Sequence, residues 1–117
     1  MTAVEDTLAD LYRAFNARDI DAVLACLHPR VAWPNGWEGG VLHGIEAVQD
    51  YWTRQWRAID PTVEPLVFAV AADGRTVVRV HQVVRDLDGT VRSDSTIEHV
   101  YTVEDGLVTR MEIRPAS

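Results

Sequence analysis

Apolar residues recur every three or four positions in the first half of the chain and every second position in the rest. Within residues 3–18, Val4, Leu8, Leu11, Tyr12 and Phe15 fall on one helical stripe, with Glu5 and Asp6 in the first turn. Residues 16–19 interrupt that stripe. Asp19 is then placed to cap a short second helix carrying Ile20, Val23, Leu24 and Leu27, which His28 and Pro29 stop. Residues 31–33 read as a short strand, and residues 34–40 as a loop, because they hold a proline and three glycines. A third helix is predicted over 44–59, with Ile45, Val48, Trp52 and Trp56 on one face and Asp60 and Pro61 at its end.

Alternation with period two then marks strands over 63–71, 76–87, 91–104 and 107–114. Asp73 with Gly74, Asp88 with Gly89 and Asp105 with Gly106 separate them, each pair tolerating the left-handed backbone of a tight hairpin. Strands that follow helices in this way predict an α+β fold with an antiparallel meander, not a parallel doubly wound sheet.

At 117 residues, 47% hydrophobic and 25% charged, the chain predicts a single domain, 1–117, with a core of its own. Eighteen acids against eleven bases, all of them arginine, give a formal charge of −7, which argues against nucleic acid or an anionic membrane as a partner. The lone cysteine, Cys26, can form no internal disulfide and sits on an apolar helical face. The first six residues carry neither a basic start nor an apolar run, so a cytoplasmic location is expected.

The candidate chemistry lies on two strands. Arg79 and His81 interrupt a valine-rich stretch, and His99 and Tyr101 interrupt the next strand. Members of each pair share a face, and on the helix-covered side of the sheet they would line a polar patch in an apolar cavity. His81 reads either as a general base steered by Arg79 or as a satisfied structural histidine. His99 and Tyr101 read either as donors to a ligand oxygen or as packing partners of each other. Asp94 is placed to pair with one of the histidines across the meander. Asn35 is either a cavity amide or the turn residue of an Asn-Gly pair. Trp33, Trp37, Trp52 and Trp56 supply aromatic walls for a flat ligand, or in part a helix-packing stripe. The four histidines lack a ligand spacing such as His-x-x-x-His, and no nucleotide or serine-hydrolase motif occurs, so neither a metal nor a cofactor is predicted.

Residues 12–33, followed by residues 42–52 with their Leu-His-Gly-Ile opening, resemble the SnoaL-like branch of the nuclear transport factor 2-like superfamily. The resemblance extends to the meander and its closing Asp-Gly-Leu-Val segment at 105–108. It implies a strongly curved antiparallel sheet wrapped on the three helices as a cone, a deep pocket at one end, and a homodimer through the outer sheet face. That fold hosts isomerases, hydrolases, cyclases, dehydratases and binding modules. Against ketosteroid isomerases, the base aspartate falls on Asn35, the second acid on His99, and the first-helix tyrosine on Leu11, one residue from Tyr12. Against limonene epoxide hydrolases, Trp33 and Asn35 resemble a Tyr-x-Asn motif, Arg79 and His81 an Arg-x-Asp motif, and the closing aspartate falls on Ile113.

The reading that follows is a small-molecule domain. Trp33, Trp37, Trp52 and Trp56 form walls, Asn35, Arg79 and Tyr101 make polar contacts, and His81 or His99 carries a proton in cofactor-free acid/base chemistry on a carbonyl, enol or epoxide. A binding or accessory module without turnover is the competing reading. Val78, Val80 and Val84, with Gln82, form the opposite face of their strand and are expected to meet a second copy.

Overall fold

The structure is a computed structural model that describes residues 2–36 and 38–116. Helix α1 (Ala3–Asn16) begins where the Thr2 hydroxyl accepts the Glu5 N–H at 3.1 Å, and it buries Leu8, Leu11, Tyr12 and Phe15. Arg18, in the left-handed region at φ 61°, turns the chain, and Asp19 caps α2 (Ile20–Leu24) by accepting from the Ala22 N–H at 3.2 Å. This second helix is shorter than predicted. Leu27 belongs instead to β1 (Leu27–Pro34), where it is buried opposite Val108, and the strand runs straight through His28 and Pro29. Backbone pairing therefore starts four residues before the predicted short strand. The brief β2 (Val41–His43), which the apolar pattern did not signal, pairs antiparallel with β1.

Gly44, at φ 90°, turns the chain from β2 into α3 (Ile45–Ala58), which buries Val48, Tyr51 and Trp52. The four predicted long strands follow as β3 (Ile59–Val70), β4 (Thr76–Asp86), β5 (Val91–Glu104) and β6 (Leu107–Pro115). They form an antiparallel meander within one six-stranded sheet of order β2-β1-β6-β5-β4-β3. The β1–β6 pair alone is parallel, the return that lets the first strand close beside the last. The sheet is curved and unclosed, with α1 and α3 against its inner face.

β3 begins at Ile59, before the predicted start at Val63, and holds both Pro61 and Pro65, because it is an edge strand and lacks a ladder partner on one side. Asn16 stands in for that partner. Its Nδ2 donates to the Val63 carbonyl at 2.8 Å and its Oδ1 accepts the Val63 N–H at 2.9 Å. Arg18 completes the clamp, donating to the Pro61 carbonyl at 2.7 Å, pairing with Asp60, and lying over the rings of Phe15 and Trp56. The residues that break the helical stripe thus fix the edge strand to the end of α1.

Register settles which side chains face the helices. Thr76, Val78 and Val80 are buried and stand opposite Tyr101, His99 and Ile97, so these six share the inner face. Val78, Val80, Gln82 and Val84 are therefore not an outer face awaiting a second copy. The alternate set, Arg79, His81 and Arg85, points outward with Asp94, Thr96 and Glu98. The expected orientation of β4 is reversed for a simple reason: the valines take the core positions and the charged residues take solvent. Among the described residues no helix is long and apolar enough to cross a membrane.

Candidate functional site

Between the inner face and the helices lies a cavity of about 400 Å³. Its wall is largely aromatic and aliphatic. Trp33 from β1 meets Trp52 of α3 edge to face at 5.1 Å between ring centroids, Phe15 meets Trp52 at 5.6 Å, and Met111, Ile113, Val63 and Val84 complete the apolar lining. The β-branched and aromatic residues that make good strands here also make a dry wall.

Three polar side chains meet on this wall. Tyr101 donates its hydroxyl to Tyr12 Oη at 2.8 Å, and Tyr12 Oη lies 2.8 Å from His99 Nδ1. In the Nε2–H tautomer of His99, Tyr12 donates its own proton to Nδ1 while accepting from Tyr101. The Tyr12 and His99 rings stack nearly parallel at 5.8 Å, while Tyr101 stands edge-on to both. Tyr101 is 1% exposed and His99 5%, so this relay is sealed at the deep end of the cavity.

Burial sets the charge state. It lowers the His99 pKa to about 4, leaving the imidazole neutral at neutral pH. Burial likewise raises the pKa values of Tyr101 and Tyr12, the latter also through its hydrogen-bonded phenol neighbour, so both remain protonated donors. The site can give hydrogen bonds to an oxygen through neutral groups. As a base, an imidazole with so low a pKa is present but weak.

Of the residues singled out in the sequence, the structure brings Trp33, Trp52, His99 and Tyr101 to the cavity. Trp56 stands one layer behind, stacked on Trp52 at 6.2 Å and edge-on to Phe15, with its buried Nε1 lacking a hydrogen-bond partner among the described residues. Asn35 does not line the cavity. Its Oδ1 accepts the Glu38 N–H at 2.8 Å and its Nδ2 donates to Glu38 Oε1 at 3.2 Å, so it is the turn residue of its loop. Trp37 lies outside the described residues. Arg79 and His81 are on the far side of the sheet, where His81 Nε2 meets Asp94 Oδ1 at 2.6 Å and both remain exposed. The Arg-x-Asp likeness therefore does not bring Arg79 or His81 to the cavity.

Tyr12 is the central residue that the sequence reading passed over as part of a stripe. A hydroxyl-bearing tyrosine beside Leu11 on an otherwise apolar helix face was the available signal, and both residues reach the cavity. Arg92 and Ser93, near the start of β5, were also unassigned and line the cavity, as does Gln82, which was expected on the face that meets a second copy. Among the described residues no three histidine, cysteine or acidic side chains cluster in a way that could hold a metal ion.

Fold and cavity together define a cone-shaped α+β domain of the nuclear transport factor 2-like type, its curved sheet closed over by helices. The chain belongs to the SnoaL-like domain family, whose profile matches residues 8–111. Among solved structures it is similar to TerC, co-crystallised with polyporic acid, at 27% identity and TM-score 0.84 over 98% of this chain and 92% of that one. It is similar also to an NTF2-like protein of unknown function from Burkholderia pseudomallei, at 26% identity and TM-score 0.84 over 99% and 92%. A putative polyketide cyclase from Sinorhizobium meliloti, at 24% identity and TM-score 0.79 over 97% and 100%, shares the fold. No curated protein matches the chain.

Proposed function

We propose that the domain binds a small, flat, mostly apolar molecule and receives one of its oxygens, a carbonyl, enol or phenol, at the Tyr12, His99 and Tyr101 relay. The observation that carries this reading is the relay itself: three neutral hydrogen-bonding groups held in an apolar cavity of a size that suits a small organic ligand. The co-crystallisation of TerC, of similar fold and 27% identity, with polyporic acid supports the ligand class. Hydrogen bonds from groups that need not reorganise also polarise a carbonyl, so the same geometry favours a second reading, cofactor-free isomerase, cyclase, hydrolase or dehydratase chemistry with His99 as proton carrier.

Fluorescence titration tests both. Trp33 and Trp52 line the cavity, so polyporic acid or a planar naphthol is expected to quench tryptophan emission saturably, and Tyr12→Phe to weaken binding about tenfold by removing the hydroxyl that holds His99 and Tyr101 in place. Absence of saturable quenching by any flat oxygenated aromatic would overturn the reading. Product formed from a bound ketone or enol, lost in His99→Leu, would select the catalytic reading over simple binding.

The convex face of the sheet supports a homodimer. It mixes Glu64, Arg79, Asp94, Glu98, Arg110 and Arg114 around Val83 and Val100, a pattern in which a two-fold axis can set unlike charges against one another. A monomer by light scattering at micromolar concentration would exclude this arrangement. The single cysteine, which can form no internal disulfide, fits a reducing cytoplasmic setting.

A further inference from the structure

The cavity is polar at two separated places. Along β5 burial falls steadily from Tyr101 and His99 through half-buried Ile97 to exposed Ser93 and Arg92, so the strand runs from the deep end of the cavity to its rim. At that rim Arg92 lines the same cavity, in company with Gln82 and Ser93. Among the described lining residues it is the one with a formal charge at neutral pH, since the cavity imidazole is neutral.

Among the described residues Arg92 has one ion pair. Its Nε lies 3.3 Å from Asp86 Oδ1, at the end of the neighbouring strand. A guanidinium offers five N–H donors in a planar fork, and a contact at Nε leaves the terminal nitrogens available. Register explains why this side chain reaches the cavity at all. Val84 pairs with Ser93 but Arg85 pairs with Val91, so Arg92 is the extra residue of a bulge, a feature that redirects a side chain. A regular ladder would have given it the outward orientation of its neighbours in alternation.

We propose that Arg92 makes the cavity selective for elongated ligands that carry a carboxylate at the end opposite the oxygen received by Tyr12, His99 and Tyr101. This assignment rests on the pocket reading above and deepens it. Seven positions of β5 separate Arg92 from His99, roughly 20 Å along an extended strand and less along a curved one. A ligand touching both ends is therefore long, with an apolar middle against Trp33, Trp52 and Val84. The protein's net charge of −7 opposes anions in general. At physiological salt, charges more than about 8 Å apart are largely screened, so the local guanidinium and not the overall field decides at the rim.

The experiment pairs neutral and anionic probes at two lengths. 4-Hydroxybiphenyl is compared with 4′-hydroxybiphenyl-4-carboxylate, and the corresponding hydroxyterphenyl with its terminal carboxylate, each titrated against tryptophan emission of the full chain. At one length at least, the carboxylate is expected to bind about tenfold more tightly than its neutral partner, the effect of one charge-assisted hydrogen bond. In Arg92→Gln that ratio is expected to fall toward one. In Asp86→Asn, which removes the competing carboxylate, the ratio is expected to rise. Equal affinities of neutral and anionic probes at both lengths in the native protein, or a ratio untouched by Arg92→Gln, would overturn the assignment while leaving the pocket reading intact. Failure of all four probes to bind would overturn both.

Discussion

His99 and His81 sit on adjacent strands of one sheet and meet opposite environments. His99 points toward the helices, has a tyrosine on Nδ1, and is neutral because burial opposes its charge. His81 points outward, meets the carboxylate of Asp94 at 2.6 Å, and keeps 39% of its side chain in solvent. Two imidazoles of one chain are thus given different chemistry by the parity of their positions. On the inner face a polar group is isolated, satisfied by neutral partners and coupled to packing. On the outer face it is one member of an exchangeable set of surface charges.

Truncation should show the largest difference between the faces. Trp52 is 2% exposed and touches Phe15, Trp33 and Trp56, so Trp52→Ala is expected to cost about 3–5 kcal/mol in denaturant unfolding. Arg79→Ala, on the outer face, is expected to stay within about 0.5 kcal/mol. Similar losses for the two would mean that the helices do not cover the inner face as described.

Acid sharpens the comparison at His99. The folded pKa of about 4 lies below the unfolded value of 6.5, so between these pH values the unfolded chain binds a proton that the folded one refuses. Stability is therefore complete above about pH 6.5 and declines as pH falls toward 4, by about 3 kcal/mol if the full shift is expressed. Urea midpoints measured from pH 7 to pH 4 should show that decline in the native protein and a flatter profile in His99→Leu. An equally steep profile in the variant would place the titrating group elsewhere.

The relay offers a narrower test. Tyr12→Phe removes a hydroxyl that both accepts from Tyr101 and serves His99, leaving two buried polar groups short of a partner. An expected loss of about 1–3 kcal/mol follows, larger than for an exposed tyrosine. A loss near zero would mean that water or a rearranged Tyr101 replaces the bond.

These contrasts also show what could be read in the sequence. Helices, hairpins and the α+β order were legible because periodicity and Asp-Gly turns are local signals, and each Gly of those turns does take a positive φ. The pair His99 and Tyr101 was legible because Ile97 and Val103, their companions in alternation, are apolar and mark the face as inward. Arg79 and His81 were misplaced because β4 carries valine on both faces, at 77 and 83 outward and at 78, 80 and 84 inward. The charged residues themselves were the better guide to solvent. Tyr12 and Arg92 could not be assigned from local pattern. The role of Tyr12 depends on a partner 87 positions away, and that of Arg92 on a bulge that only strand pairing reveals.

The smallest expected effect belongs to the outer histidine. His81 and Asp94 meet at 2.6 Å, closer than Tyr12 and His99 at 2.8 Å, and distance alone would suggest a strong interaction. Both partners are solvated, however, so water offers each nearly as good an alternative, and holding two side chains in one geometry costs entropy. At concentrations low enough to keep the chain monomeric, a double-mutant cycle of His81→Ala and Asp94→Ala is therefore expected to give a coupling below about 1 kcal/mol, reduced further by salt. The same cycle at Tyr12 and His99, where the bond is longer but sealed from water, is expected to give more. A coupling that grows at the higher concentrations where two copies of the chain associate would place His81 and Asp94 in the homodimer interface proposed for this face.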